Sequence, residues 1–326
     1  MQNKKIKKIV SRINSEILSF FVSFHSNKIN KCVFNKVYEV TRNRYLKKIK
    51  TYNFSDYIMP KWQSNMEKME KYFVNKFSFN FLNNKVIKRT MFVNTSGLWK
   101  NTELDLIKSF FGIEKTKNLL KENNIGRPLL NDRQFVTSGN SIHHLYHFAK
   151  FFKETGVQPE KIHNVVEVGG GYGNMARLFK KLNRSVTYTI LDLPVFSYIQ
   201  LVYLRTLFGN DGVNLVDKDN KEIKQGKINI LPLDKELLAE LGKSIQCDIF
   251  LSTWALSESN KKMQETIRNM TYFKSQYILL AYQKNNSDFS YAEDIKNIAA
   301  NYKIIYNKEI EFIPENYYLF AKKSNI

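Results

Sequence analysis

Between residues 6 and 24 the apolar residues Ile6, Ile9, Val10, Ile13, Ile17, Phe20, Phe21 and Phe24 recur, with Arg12, Asn14 and Glu16 among them. Apolar residues recurring every three or four positions line one side of a helix, so this stretch predicts an amphipathic helix. The same period marks 66–77 (MEKMEKYFVNKF) and 102–112 (TELDLIKSFFG), with Thr102 placed to cap the latter. A segment rich in turn formers, GRPLLNDRQFVTSGNS over 126–141, ends this mainly helical region. A further helix, IHHLYHFAKFFKETG, follows at 142–156 and stops at Gly156.

From residue 164 the pattern alternates. Short apolar runs at 164–168, 186–193, 227–233, 247–252 and 277–283 read as buried strands. Helical patterns at 174–182, 196–209, 235–242, 260–270 and 290–302 follow them in turn. Strands apolar on both faces, with helices between, predict a parallel sheet covered on both sides. Two last strands, 303–312 and 317–323, have no helix between them and predict a hairpin at one edge. The expected fold is α/β: a doubly wound, seven-stranded, mostly parallel sheet with an antiparallel C-terminal hairpin over 135–326, preceded by a mainly helical region over 1–134.

Composition narrows the setting. A chain of 326 residues that is 43% hydrophobic has ample material for a folded core. The basic-then-apolar start superficially resembles a signal peptide, but it lacks a small-residue cleavage site, and no apolar run reaches the ~18 residues of a membrane span. Cys32 and Cys247 stand far apart with no C-x-x-C spacing, which suits a reducing compartment and supplies no zinc site. A cytoplasmic protein is expected, with a peripheral place at the inner membrane surface compatible with its charge. That charge is uneven: residues 1–150 hold 28 Lys and Arg against 10 Asp and Glu (+18), and 151–326 hold 23 against 20 (+3). A basic half would suit nucleic acid, an anionic membrane surface or a phosphorylated substrate; dispersed lysines equally make a solvated face.

Four of the 13 glycines fall within five positions, in VVEVGGGYGN at 165–174. Backbone this bare either turns tightly or lets a ligand approach closely. In a doubly wound sheet the rim at the strands' carboxyl ends is where ligands bind. A dinucleotide would want a third glycine where Asn174 stands, and Glu167 would repel its pyrophosphate. A cationic ligand without phosphate would instead be helped by that carboxylate.

Glu167-Val-Gly169-Gly-Gly171-Tyr-Gly173 resembles the E/D-x-G-x-G-x-G signature of class I S-adenosylmethionine-dependent methyltransferases. Asp192 falls 21 residues after Gly171 at the end of ILDLP, where an acid can accept both ribose hydroxyls. The layout, with SGNSIHHLYHF before the loop and STWALSE after the fourth strand, is similar to a bacterial family of sugar O-methyltransferases. The resemblance covers about residues 135–326. It implies S-adenosylmethionine as cofactor and a sugar or nucleotide sugar as substrate. It further implies that the segment holding Asn140 approaches the methionine end of the cofactor and that Asp234 meets the adenine amino group. Asp234 could equally cap the helix after it, and Ser138, Gly139 and Asn140 could cap theirs.

A sugar hydroxyl needs a general base. Plant-type O-methyltransferases carry a histidine where this chain has Ser257, so that base does not carry over. Glu258 beside it is the nearest ionisable substitute, although an acid there also suits the dipole of the helix starting near Asn260. His143, His144 and His147 cluster, with His143 and His147 one helical turn apart. His143 and His144 are candidate bases; no carboxylate stands at ligand spacing beside them, so no metal is expected. Packing is the commonest role of such histidines. Arg127 and Arg133, in the turn-rich segment, are candidates for holding a substrate diphosphate. The rival readings are an RNA methyltransferase, disfavoured for want of an RNA-binding motif, and a non-catalytic scaffold in a glycan-assembly complex. Homo-oligomerisation is compatible with either.

Overall fold

The structure is a computed structural model that describes residues 30–91, 100–132, 134–284 and 301–324. The amphipathic pattern at 6–24, Arg133 and nearly all of the helical pattern at 290–302 lie outside the described residues. The first described helix, α1, covers 30–48. Then come α2 (Pro60–Lys76), α3 (Lys85–Met91), α4 (Lys100–Phe111) and α5 (Ile113–Leu120). Helix α2 starts six residues before its apolar period is evident, because Pro60 sits in its first turn, where a missing N–H costs nothing. Thr102 does not cap α4: the helix already runs from Lys100, which places Thr102 inside its first turn.

A two-stranded ribbon, β1 (Leu130–Asp132) with β2 (Thr137–Ser138), leads into α6 (Gly139–Thr155). Ser138 caps α6 by accepting from the Ser141 amide, and Gly156 ends it in the left-handed conformation. The sheet follows: β3 (Asn164–Val168), α7 (Asn174–Leu182), β4 (Thr187–Asp192), α8 (Pro194–Gly212), β5 (Val213–Leu215), β6 (Ile228–Pro232), α9 (Lys235–Leu241), β7 (Ile249–Thr253), α10 (Lys261–Asn269), α11 (Thr271–Lys274), β8 (Tyr277–Gln283), β9 (Tyr302–Ile310) and β10 (Ile313–Lys323).

The strand order is β5-β6-β4-β3-β7-β8-β10-β9. All neighbours are parallel up to β8, and β10 is antiparallel to both β8 and β9. This is the expected mostly parallel sheet with its reversed hairpin, widened by one edge strand, β5. Three residues are too few to show a period, and β5 directly follows α8, whose regular part is interrupted at Gly209 (φ 71°).

Two buried clusters lie on opposite faces of the sheet. One gathers α6, α7 and α8 with residues of the N-terminal region; the other gathers α9, α10 and α11. The N-terminal region therefore shares the core of the first face. Tyr45 meets Tyr198 edge to face at 5.1 Å, Phe81 meets Tyr172 at 6.3 Å and Trp62 meets Phe196 at 5.9 Å. The segment before α2 is tied down across the other face. Lys235 donates its amide to the Asn53 carbonyl (2.7 Å), and Asn260 Nδ2 donates to the Asp56 carbonyl (2.6 Å). These ties carry Tyr57 to Asn65 over the rim of the sheet.

Candidate functional site

From β3 the chain moves outward through β4 to the edge strand β5, steps in to β6 between them, and then crosses back to β7. The switch in direction lies between β3 and β7, where the carboxyl ends open a crevice. A cavity of about 670 Å³ occupies it. Its floor is the glycine loop after β3, one side is Asp192 at the tip of β4, and the other is the turn after β7.

Each bare position in that loop has a reason. Gly169, Gly171 and Gly173 all have positive φ (82°, 58° and 92°). At Gly169 space is limiting as well, since a Cβ there would sit 1.9 Å from that of Ala255. Gly169→Ala is expected to destabilise the fold by about 2–4 kcal/mol, from left-handed strain and overpacking together. Urea unfolding measures this, and a loss under 1 kcal/mol would contradict the packing described.

Glu167 is buried at the end of β3 and accepts a hydrogen bond from Tyr188 Oη at 2.9 Å. Burial pushes its carboxyl up to about 8 against the opposing hydrogen bond, and the nearby Asp192 raises it further. Asp192 accepts from the Leu193 amide (2.8 Å) and from Gln200 Nε2 (2.7 Å); Gln200 also donates to the Gly171 carbonyl (3.0 Å). Gln200 thus clasps the acid to the loop. Burial raises Asp192 to about 7, with those hydrogen bonds opposing. Two carboxyl groups beside this glycine loop can offer acceptor oxygens and, when ionised, negative charge to whatever occupies the crevice.

Across the cavity Glu258 follows the turn Trp254–Ser257. Burial raises it to about 7, against the pull of the Lys61 charge and a hydrogen bond with the Trp62 side chain. A carboxylate poised there can take a proton near neutrality. Trp254 holds φ 64°, costly for a bulky residue, and its indole donates to Asn316 Oδ1 at 2.6 Å while stacking on His143 at 5.9 Å. Ser257, in the place of the plant-type histidine, donates to the Trp254 carbonyl at 2.7 Å and is buried.

The other sequence candidates divide. His144 lines the cavity, whereas His143 is fully buried and bonded through Nδ1 to Glu103 Oε1. His147 bonds Tyr318 Oη at 2.6 Å. Asn140 lies beneath the loop and donates to Tyr172 Oη at 3.2 Å; it does not line the cavity. Asp234 caps α9 by accepting from the Leu237 amide (3.0 Å), while its other oxygen accepts from the Asn53 amide (2.8 Å). It too is absent from the lining. Arg127 is exposed and away from the cavity. Sequence reasoning did not identify Tyr57, Lys61, Trp62, Asn65 and Arg89, which the N-terminal region contributes to the walls, nor the clasp Gln200. Among the described residues, no group of three His, Cys, Asp or Glu is arranged to hold a metal ion, and no helix is long and apolar enough to cross a membrane.

The strand order, the reversed edge hairpin and the glycine loop at the switch point define a doubly wound, Rossmann-like α/β fold. No protein-family profile matches the chain, and no curated protein matches it. Solved structures match it in shape. Magnesium protoporphyrin IX methyltransferase from Synechocystis PCC 6803, with bound SAM, is 13% identical, with a TM-score of 0.40 over 71% of this chain and 100% of its own. The mitomycin 7-O-methyltransferase MmcR is 12% identical, with a TM-score of 0.35 over 56% of this chain and 57% of its own. The 16S rRNA methylase ArmA is 11% identical, with a TM-score of 0.35 over 54% of this chain and 80% of its own. The chain therefore spans little more than half the length of MmcR. These are likenesses of fold alone.

Proposed function

We propose that the protein is an S-adenosylmethionine-dependent O-methyltransferase acting on a sugar hydroxyl. The observation that carries this reading is the pair Glu167 and Asp192 flanking a bare glycine loop in one cavity, with Glu258 on the opposite wall. When bound, the cofactor supplies an electrophilic methyl group on a sulfonium. Glu167 offers a buried negative charge to its cationic amino-acid end, Asp192 offers acceptor oxygens to its ribose, and Gln200 keeps the loop against Asp192. Asn140 and Asp234 act behind the lining, through Tyr172 and through the cap of α9.

Glu258 takes the hydroxyl proton, leaving the oxygen lone pair free to attack. Trp62 and Trp254 supply flat apolar faces, and Asn65 and Gln283 supply amides, a combination suited to a sugar ring, which is apolar on its faces and hydroxylated at its rim. Lys61 and Arg89 are the cations in the lining, so a phosphate on the sugar would meet these two first. The N-terminal region up to residue 134 serves as the substrate-facing wall. A polyanion such as RNA would need a basic stripe, and a scaffold would need no base poised at neutrality.

Asp192→Ala is expected to weaken S-adenosylhomocysteine binding by about 1.5–3 kcal/mol, the range for hydrogen bonds to charged groups. Calorimetry reads this, together with methyl-donor turnover on a panel of sugars and nucleotide sugars. Unchanged affinity would remove the ribose assignment, and methylated RNA as the sole product would remove the sugar.

A further inference from the structure

Behind the cavity wall runs a buried polar chain that the proposed chemistry does not use. Glu122 accepts from Ser138 Oγ (2.6 Å) and from Ser141 Oγ, and faces Arg177 at 3.5 Å. Arg177, fully buried, donates through Nη2 to Ser141 Oγ (2.8 Å) and through Nε to Asn174 Oδ1 (2.8 Å). Asn174 Nδ2 lies 3.0 Å from His144 Nδ1, and His144 lines the cavity.

We propose that His144 is a fixed hydrogen-bond donor to an oxygen of the molecule seated on the glycine loop, and not a base, and that Arg177 and Asn174 are the positioning residues that make it so. An arginine has donors only, so the Asn174 atom facing Arg177 Nε must be the carbonyl oxygen. The amide nitrogen is then the atom facing His144, and it too can only donate. His144 Nδ1 must therefore be the unprotonated acceptor, and the ring proton sits on Nε2, the nitrogen left to the cavity. The surroundings keep the ring neutral: burial, His143 and Arg177 push its pKa down to about 3. His147 also lies close, at 6.1 Å between ring centroids, and Glu167, Tyr172, Asp192 and Glu258 line the same cavity. An imidazole whose acceptor nitrogen is occupied cannot take a hydroxyl proton, which leaves that step to Glu258.

The tautomer follows from this chain's own hydrogen bonds; the identity of the oxygen it meets rests on the proposed function. The test uses the full chain with ¹⁵N-labelled histidine, His144 being assigned by the signal lost in His144→Gln. At pH 7 the neutral Nε2–H tautomer is expected, and it should persist to about pH 5. Asn174→Asp replaces the donor by an acceptor and should move the proton to Nδ1. An Nδ1–H tautomer or an imidazolium in the unaltered protein at pH 7 would overturn the proposal, whether or not any methyl transfer is found. Where transfer is measured, glutamine places an amide donor near the Nε2 position, so His144→Gln should stay within about tenfold of the unaltered protein and His144→Ala should lose about 100-fold or more. Equal inactivity of the two, both stably folded, would mark His144 as a base and sink the donor role.

Discussion

Glu258→Gln is expected to lower kcat by about 10²–10⁴-fold, the contribution of a general base, while S-adenosylhomocysteine affinity stays nearly unchanged. Glutamine keeps the shape but cannot accept a proton, so the loss falls on the chemical step. The sign of the pH dependence is fixed by the raised carboxyl. With Glu258 pushed up to about 7, the working carboxylate is the form present above that pH. Turnover should fall about tenfold per pH unit below it. The acid limb should vanish in the glutamine variant, leaving a flat, low rate. Single-turnover methyl transfer across pH 5.5–8.5 measures both quantities. A variant with full activity, or one that keeps the same acid limb, would move the base elsewhere.

Arg177→Met should be the most destabilising of the substitutions considered, by about 3–5 kcal/mol, because it leaves the Glu122 carboxylate buried without its countercharge. Both side chains are almost wholly out of solvent, at 2% and 3% exposure. Removing both charges together, as Glu122→Gln with Arg177→Met, should recover most of that loss, since a neutral pair carries no desolvated ion. Urea unfolding of the two single variants and the double variant gives the coupling directly. A single variant within 1 kcal/mol of the unaltered protein would show that the pair is not the buried ion pair described here.

Much of the sheet was legible because its strands are apolar on both faces. NVVEV at 164–168 and the helix 174–182 fall at the bounds expected from their patterns. The edge strand β5 was not legible, being three residues long behind a helix end. For the site, the glycine spacing and the acid after it mark the cavity floor, because those residues must lie at the rim of any doubly wound sheet. The walls given by α2 and α3 escape such reading. Amphipathic periodicity shows which face of a helix is buried but not against which crevice, and Lys61 and Arg89 look like any other exposed cation. The histidines show the same limit at finer scale. His143 and His144 are adjacent in sequence, yet about 100° apart around α6, so one faces Glu103 in the core and the other the cavity. Asp234 had two readings open; one of its oxygens caps α9 and the other accepts from the Asn53 amide.

Burial holds Glu167 near 8 and Asp192 near 7, so in the empty cavity both carry protons over part of the neutral range. A cation arriving on the glycine loop makes the charged forms favourable and drives those protons out. On the proposed reading the cavity is an ion exchanger: cofactor enters as protons leave, so its hold tightens as the solution grows more alkaline. The cationic end that Glu167 would face and the hydroxyls that Asp192 would face are the same before and after methyl transfer, so the affinities for cofactor and for its demethylated product should rise together with pH.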